Sequence, residues 1–245
     1  MLCFVESLPQ QELFFATCRG TAFGCKLATL AGAYGFARPF AQFWQGEGLA
    51  LGLMDGTLSL AGTPQNLEEV RSFVKMLRPD SVFCPARLAQ MLGICCQAGG
   101  PVLAKQLPVG VKAAEITAQP DSRTLRGMWE LLADGGMALE WEGFYLDISH
   151  RLRHGGAVAI SQQAEGRLAG CAFAFLWGQE ALLTAVAVRK DCRGQGIGSA
   201  LVRQMERLLG GRRIYLLREA GKNRAFYRRL GYRPVDRWRT GVLKP

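Results

Sequence analysis

At 245 residues, of which 49% are hydrophobic and 20% charged, the chain has enough apolar material for a buried core, and this composition excludes a disordered protein. The formal net charge of +10 is concentrated at one end, because residues 1–188 hold 14 Lys and Arg against 16 Asp and Glu, whereas residues 189–245 hold 16 against 4. This asymmetry predicts an anionic partner for the C-terminal region, whether nucleic acid, a membrane surface or a phosphate-rich small molecule.

Cysteine spacing and hydropathy exclude several further classes. The eight cysteines contain no C-x-x-C pair, so they do not indicate a disulfide framework or a zinc site. The first residues lack the basic and apolar regions of a secretory signal, and the longest uncharged run, residues 88–104, is broken by Gln, Gly and Pro. We therefore expect a cytoplasmic protein with no membrane partner and no bound metal.

The N-terminal half contains one clear run of predicted elements. Asp55-Gly56 lies between two apolar segments, residues 49–54 and 57–61, and favours a tight hairpin turn. Asn66 with Glu69 is typical of a helix start and predicts a helix over residues 67–77. A strand at residues 81–84 and another helix follow. The predicted order of this half is β-β-α-β-α.

A connector is predicted between the two halves. Pro and Gly punctuate residues 105–112, after a break expected at Gly99-Gly100-Pro101. We predict two domains, residues 1–110 and residues 111–245.

The C-terminal half has the longer predicted order α-α-β-β-β-α-β-α. Two helices are expected after Asp121-Ser122 and over residues 141–152, both with apolar side chains at helical spacing. Strands at residues 157–161, 167–177 and 181–188 form an antiparallel meander. A helix, a strand and a final helix follow at residues 198–209, 214–217 and 222–230.

The segment that most resembles a ligand-binding motif lies where the third strand of the meander ends. Glycines at 194, 196 and 198 follow that strand and open an amphipathic helix. Such glycines let the backbone approach a ligand closely, and the free N–H groups at a helix N-terminus favour an anion such as a pyrophosphate. The spacing does not fit a dinucleotide-binding G-x-G-x-x-G, because Ser199 or Leu201 takes the third glycine position, and no lysine follows the glycines as in a P-loop.

The segment Arg193-Gly-Gln-Gly196-Ile-Gly198 instead resembles the R-x-x-G-x-G signature of the GNAT acetyltransferase superfamily. Residues 223–232, Asn-Arg-Ala-Phe-Tyr-Arg-Arg-Leu-Gly-Tyr, are similar to a second motif of that family, with one residue fewer before the aromatic pair. The resemblance implies a mixed α/β (α+β) fold with a central, mostly antiparallel sheet flanked by helices. It also implies acetyl-CoA as co-substrate.

The resemblance implies roles for individual residues. The pantetheine arm of acetyl-CoA would lie along Val186, Ala187 and Val188 and against Asn223 and Phe226. Tyr227 would protonate the departing thiolate, a role that suits a phenol that is protonated at neutral pH. The pyrophosphate would be held by Arg193, Gly194, Gln195, Gly196, Ile197, Gly198 and Ser199.

The acceptor implied by the resemblance is a primary amine of a small molecule, amino acid or peptide. Glu219, just after the strand at residues 214–217, is the candidate base, and a surface carboxylate is the alternative interpretation. Trp141 and Tyr145 are candidates for the wall of the acceptor pocket, with core packing as the alternative. His150 and His154 have no third ligand spaced to complete a metal site.

The N-terminal half repeats the β-β-α-β-α order but lacks a G-x-G at its corresponding turn, residues 61–66. We expect a degenerate GNAT-like copy that binds no cofactor and packs on, or closes, the acceptor site. A non-catalytic CoA-binding protein and a basic nucleic-acid-binding module are the alternative functions. Nucleic acid is not an expected partner, because the basic residues form no recognised reading motif, and a homodimer is left open as the assembly.

Overall fold

The computed structural model describes residues 1–108, 119–137 and 140–244, and the chain divides into two compact units. The first unit comprises Met1–Ala104, Tyr215–Arg224 and Arg233–Pro245, and the second comprises Lys105–Ile214 and Ala225–Tyr232. The domain boundary predicted near residue 110 lies outside the described residues and stays a prediction.

Helices and strands are both distributed along the described part of the chain. The helices are α1 (Leu8–Thr17), α2 (Ala22–Tyr34), α3 (Leu67–Leu77), α4 (Ala86–Leu92), α5 (Ser122–Asp134), α6 (Trp141–Arg153), α7 (Ile197–Leu208) and α8 (Arg224–Arg229), with a short 3-10 helix at Lys190–Cys192. The strands are β1 (Cys3–Phe4), β2 (Ala41–Gly46), β3 (Leu49–Met54), β4 (Thr57–Gly62), β5 (Ser81–Pro85), β6 (Ile94–Gln106), β7 (Ala157–Ala164), β8 (Arg167–Trp177), β9 (Glu180–Val188), β10 (Arg213–Leu217) and β11 (Arg233–Leu243).

Strand pairing within each unit is mostly antiparallel. In the first unit β1, β2, β3 and β4 pair antiparallel in sequence order, β5 adds parallel to β4, and β11 lies antiparallel between β5 and β6. In the second unit β7, β8 and β9 form the predicted antiparallel meander. The predicted fold class, a mostly antiparallel sheet flanked by helices, is confirmed.

The two halves of the chain share a longer element order than the sequence predicts. Helices α1 and α2, strands β2, β3 and β4, then α3, β5, α4 and β6 are matched in order by α5 and α6, β7, β8 and β9, then α7, β10, α8 and β11. This common order agrees with the prediction of a degenerate repeat. The predicted shared order was β-β-α-β-α, and the observed one adds two helices and a strand before it and one strand after it.

The break predicted at residues 99–101 is wrong, because these residues lie inside the long strand β6. Gly99 pairs with Arg239 of β11, and a side chain on Gly100 would collide with the backbone of Arg218. The two glycines therefore permit close approach of neighbouring backbone rather than a chain reversal.

Local signals account for several element boundaries. Asp55 and Gly56 have φ of 48° and 69°, as a primed hairpin turn requires. Asn66 Oδ1 accepts a hydrogen bond from Glu69 N–H at 3.1 Å, and Asp121 Oδ1 accepts one from Thr124 N–H at 2.8 Å. These caps satisfy donors that the first turn of each helix leaves unpaired, and they place the starts of α3 and α5 where the sequence predicts them.

The core of the second unit joins the two helices α5 and α6 to the meander. Leu125, Met128 and Leu132 of α5 and Ile148 of α6 are buried against Phe173 of β8. This layer supports one face of β8 and β9. Within the described ranges, no helix combines the length and apolar character needed to cross a lipid bilayer.

Candidate functional site

Strand β9 carries a β-bulge just before the site. Phe173 of β8 pairs with Ala185 and Ala174 pairs with Leu183, so Thr184 has no partner across the ladder. The Thr184 hydroxyl donates to the Phe173 carbonyl at 3.3 Å, which holds the extra residue in place. A bulge of this kind bends its strand and redirects the residues that follow it.

The strand opens to solvent after the bulge. Residues 181–183 are buried, whereas residues 184–188 are only partly buried although they read Thr-Ala-Val-Ala-Val. A short apolar run in a paired strand normally has both faces covered. Partial exposure of Val186, Ala187 and Val188 therefore leaves apolar side-chain surface available to a ligand.

The loop after β9 forms an open turn at the start of α7. Arg193 Nε donates to the Val188 carbonyl at 3.2 Å and folds the loop back on the strand end. Gly194 and Gly196 have φ of 81° and 83°, and a Cβ on either would meet no atom within 4 Å. The space beside both glycines is therefore empty and could be entered by an anionic group.

The first turn of α7 has no cap of its own. Its first intrahelical bond runs from Ala200 N–H to Gly196 O at 3.0 Å, so the N–H groups of Ile197, Gly198 and Ser199 have no partner inside the helix. Gly196 is the N-cap residue and offers no side chain. Oriented N–H groups and the positive end of the helix dipole together favour an anion here.

Close packing on β8 fixes the position of α7. A Cβ on Gly170 would lie 2.8 Å from Leu201 Cδ1 and 3.0 Å from Ile197 Cγ2, so only glycine lets the helix approach this closely. Leu201 is fully buried. The turn that precedes α7 is thus attached to a rigid layer.

Helix α8 brings two predicted site residues to α7. A Cβ on Gly198 would be 3.5 Å from the Phe226 ring and 3.5 Å from Val188 Cγ2, so these three residues lie together. The Tyr227 ring is 4.8 Å from the Phe226 ring. Burial raises the pKa of Tyr227 to about 12.

Two predicted residues, Glu219 and Asn223, belong to the first unit rather than the second. Glu219 is exposed and forms an ion pair with Lys222 at 2.5 Å. Asn223 is exposed, with φ of 54° in the turn before α8. The proposed roles of both residues stay predictions.

Trp141 and Tyr145 stack on one another on α6, with ring centroids 5.1 Å apart, and both pack on the edge of the second unit's core. The Arg126 guanidinium lies 4.6 Å from the Trp129 ring and 4.7 Å from the Trp141 ring. This arrangement is a partly exposed aromatic surface that already holds one planar cation.

The His150 and His154 rings are 4.6 Å apart. Over residues 1–108, 119–137 and 140–244, no group of three or more His, Cys, Asp or Glu side chains is arranged to hold a metal ion.

The corresponding helix of the first unit begins differently. The Asn66 side chain caps α3, and Glu68 and Glu69 add two carboxylates to its first turn. Glu69 Oε1 also accepts from Leu2 N–H at 2.5 Å. Side chains of the chain itself therefore neutralise the positive end of α3, which disfavours an anionic ligand.

Sequence reasoning did not identify a polar cluster beside Tyr227. Lys105 Nζ lies 2.7 Å from Glu206 Oε2, and the rings of Tyr227 and Tyr232 are 5.8 Å apart. The Tyr232 side chain is 2% exposed. Within the described part of the chain, its hydroxyl and Glu206 Oε1 are buried without a hydrogen-bond partner. A sequence separation of 101 residues between Lys105 and Glu206 leaves no local signal for this contact.

Residues 154–234 match the family model described as the acetyltransferase (GNAT) domain. This part of the chain is a GNAT domain. Both predicted motifs lie inside the matched segment, as do the α7 turn, Phe226 and Tyr227.

Solved structures agree with the fold over the whole chain. A GCN5-related N-acetyltransferase from Kribbella flavida has a TM-score of 0.65 and 19% identity, covering 93% of this chain and 97% of that one. A GCN5-related N-acetyltransferase from Sphaerobacter thermophilus has a TM-score of 0.64 and 16% identity, covering 100% and 96%. A tandem GNAT protein from the clavulanic acid biosynthesis pathway has a TM-score of 0.59 and 17% identity, covering 100% and 99%. No curated protein matches the chain.

We expect Tyr232→Phe to retain stability at pH 7 and to weaken the loss of stability at alkaline pH. Burial, followed by the neighbouring Glu206 carboxylate, raises the pKa of Tyr232 above its ordinary value of 10.0. The unfolded chain therefore releases this proton first, and stability that is present below pH 10 falls above it by about 1.4 kcal/mol per pH unit.

Urea unfolding of wild type and Tyr232→Phe between pH 7 and 11.5 measures this difference. The matched control is Tyr145→Phe, which removes a hydroxyl from a partly exposed side chain. Equal alkaline slopes for wild type and Tyr232→Phe would contradict the assignment.

Proposed function

We propose that the protein transfers an acetyl group from acetyl-CoA to a primary amine, by direct attack within a ternary complex. The observation that carries this proposal is the uncapped start of α7, which follows a bulged and partly exposed strand inside a GNAT domain. The amine belongs to a small molecule, an amino acid or a peptide, and we expect the reaction in the cytoplasm.

The α7 turn suits the pyrophosphate of acetyl-CoA. Residues 193–199 would surround it, with the N–H groups of Ile197, Gly198 and Ser199 as donors. Arg193 is exposed and takes part in no ion pair within the described ranges, so its guanidinium would add positive charge. No atom lies within 4 Å of a Cβ placed on Gly194 or Gly196, so the chain leaves open space beside both glycines for this group.

The exposed end of β9 suits the pantetheine arm. Val186, Ala187 and Val188 offer a partly exposed apolar surface, and Phe226 closes it at the start of α7. Asn223 would add a polar contact from the turn before α8. Burying the apolar part of the arm here would stabilise the complex by about 25 cal/mol per Å² of apolar surface removed from water.

Acetyl-CoA, when bound, supplies an activated acyl group as a thioester. The acceptor nitrogen must lose a proton before it attacks the carbonyl carbon, because an alkylammonium of pKa about 10 has no lone pair to donate. A C–N bond then forms and the C–S bond breaks. The nitrogen releases one proton before the attack and a second once the C–N bond has formed. One of these balances the proton that the sulfur takes up, and the other goes to solvent.

We propose that the Tyr227 hydroxyl interacts with the sulfur of the departing thiolate. Its pKa of about 12 keeps the hydroxyl protonated at neutral pH. Complete transfer to a thiolate of ordinary pKa about 8.5 is unfavourable from such a weak acid. Tyr227 therefore stabilises the developing negative charge as a hydrogen-bond donor. The sulfur takes its proton from water, which in the end also receives the protons released by the amine.

The acceptor side of the proposal rests on two features. Trp141 and Tyr145 would form the wall of the acceptor pocket, where stacked aromatic faces favour a cationic or apolar amine. Glu219 would accept the amine proton, directly or through water. Its ion pair with Lys222 is the observation that favours a second function, CoA binding without catalysis, because this pair engages the candidate base.

Wild-type protein mixed with acetyl-CoA and a panel of amines, amino acids and peptides is expected to release free thiol with at least one acceptor. Calorimetric titration with CoA separates the two functions. Binding without thiol release across the panel supports the non-catalytic alternative, and absence of both overturns the proposal.

Gly196→Ala is expected to weaken CoA binding by at least 10-fold. A side chain there is strained at φ of 83° and projects into the space assigned to the pyrophosphate. Calorimetry measures the change, and Gly143→Ala is the control because this exposed helical glycine has open space around it. Unchanged CoA affinity in Gly196→Ala would place the pyrophosphate elsewhere.

Tyr227→Phe is expected to lower kcat by about 100-fold while the Kd for acetyl-CoA stays within about twofold. The phenyl ring keeps the contact with Phe226 and removes only the donor. Steady-state kinetics with calorimetric binding measures both quantities. An unchanged kcat would assign Tyr227 to packing alone.

A further inference from the structure

The Lys105 ammonium is the centre of a polar cluster inside the second unit. Lys105, near the end of β6, makes an ion pair of 2.7 Å with Glu206 Oε2 of α7 and donates to the Leu230 carbonyl at 2.9 Å. The two charged side chains are only 25% and 13% exposed. Such low exposure reduces screening by solvent, so the pair is stronger than an ordinary surface ion pair.

The cluster completes the C-terminal end of α8. Gly231 N–H bonds to Arg228 O at 3.1 Å, and Tyr232 N–H bonds to Tyr227 O at 3.0 Å, which closes the last turn. Lys105 donates to the carbonyl of Leu230, the residue that follows α8, and places a cation where the helix dipole is negative. A helix of six residues depends on such tertiary contacts, because it is too short to be stable alone.

Helices α7 and α8 are therefore held together at two places. At the α7 start, Gly198 lies under the Phe226 ring. Near the α7 end, Glu206 is joined through Lys105 to Leu230. Tyr227 lies between these places along α8. Its position relative to the α7 turn is thus determined by one apolar contact and one ionic contact.

The Tyr232 ring connects the ionic contact with Tyr227. Lys105 Nζ is 5.6 Å from the centroid of the Tyr232 ring, and that ring meets the Tyr227 ring edge-on at 5.8 Å. Because Tyr232 is almost completely buried, it transmits a displacement of Lys105 to Tyr227 rather than absorbing it in solvent.

We propose that Lys105 and Glu206 are positioning residues that hold Tyr227 in place relative to the α7 turn. Neither residue would touch the substrates. Their effect on catalysis passes through Tyr227. This inference rests on the proposed acetyl transfer and adds to it a determinant far away in the sequence.

A double-mutant design tests the inference on the full chain. Lys105→Met in the wild-type background is expected to lower kcat by about 10- to 100-fold, with the KM for acetyl-CoA within about twofold, because a small misplacement of a catalytic group has effects of this size. In the Tyr227→Phe background, the same substitution is expected to change kcat by less than twofold. Lys105→Arg is expected to restore most of the activity.

Two further variants provide controls. Lys75→Met makes the same substitution at an exposed helix position of the first unit and is expected to leave kcat unchanged. Glu206→Gln retains the shape of its side chain and removes its charge, so it tests the ion pair if Lys105→Met does not fold. Amide hydrogen exchange over residues 224–230 should increase in Lys105→Met and in Glu206→Gln, but not in Lys75→Met.

The outcomes separate the inference from the proposed function. An equal fractional loss of kcat in both backgrounds would mean that Lys105 acts independently of Tyr227, and an unchanged kcat in folded Lys105→Met would mean that it does not act at all. Either result overturns the inference while wild-type turnover upholds the function. If wild type shows no turnover, the proposed function fails. Unchanged hydrogen exchange in α8 of Lys105→Met would then also overturn the inference that Lys105 and Glu206 hold α8 in place.

Discussion

The candidate site depends on the uncapped first turn of α7, and the residues around this turn determine its position. Its free N–H groups need a partner, and Gly196 supplies none. The bulge at Thr184 turns the strand before it, and Gly170 allows the helix to pack tightly enough for the turn to be rigid. A ligand anion would complete the hydrogen bonding that the chain leaves open.

The two halves of the chain share an element order but differ at one helix start. Asn66 and Glu69 close the first turn of α3, whereas the matching turn of α7 is open. The start of α7 therefore suits a phosphate and the start of α3 repels one because of a few side chains, although the order of the surrounding elements is the same. The proposal of a single cofactor site depends on this local electrostatic difference, not on a difference in fold.

The sequence predicts those elements whose ends are determined by neighbouring residues in the chain. The hairpin at Asp55-Gly56, helix α3 and strand β8 agree with their predictions, because a turn, a cap or an apolar run determines each. Helix α2 was missed, since eight of its residues are buried and it shows no polar face from which a period could be read. The glycine turn and Tyr227 follow from motifs. The Lys105 cluster could not be predicted, because it depends on tertiary contacts between distant segments.

Strand β11 has a consequence for the order in which the protein is made. It fills the gap between β5 and β6, and its Gly241 pairs with Val82, 159 positions earlier. Until β11 has been synthesised, the edges of β5 and β6 that pair with it have no partner strand. Pairing residues so far apart in sequence closes a long loop, which slows folding. The second unit ends at Tyr232, before β11 begins. The first unit is therefore completed after the second.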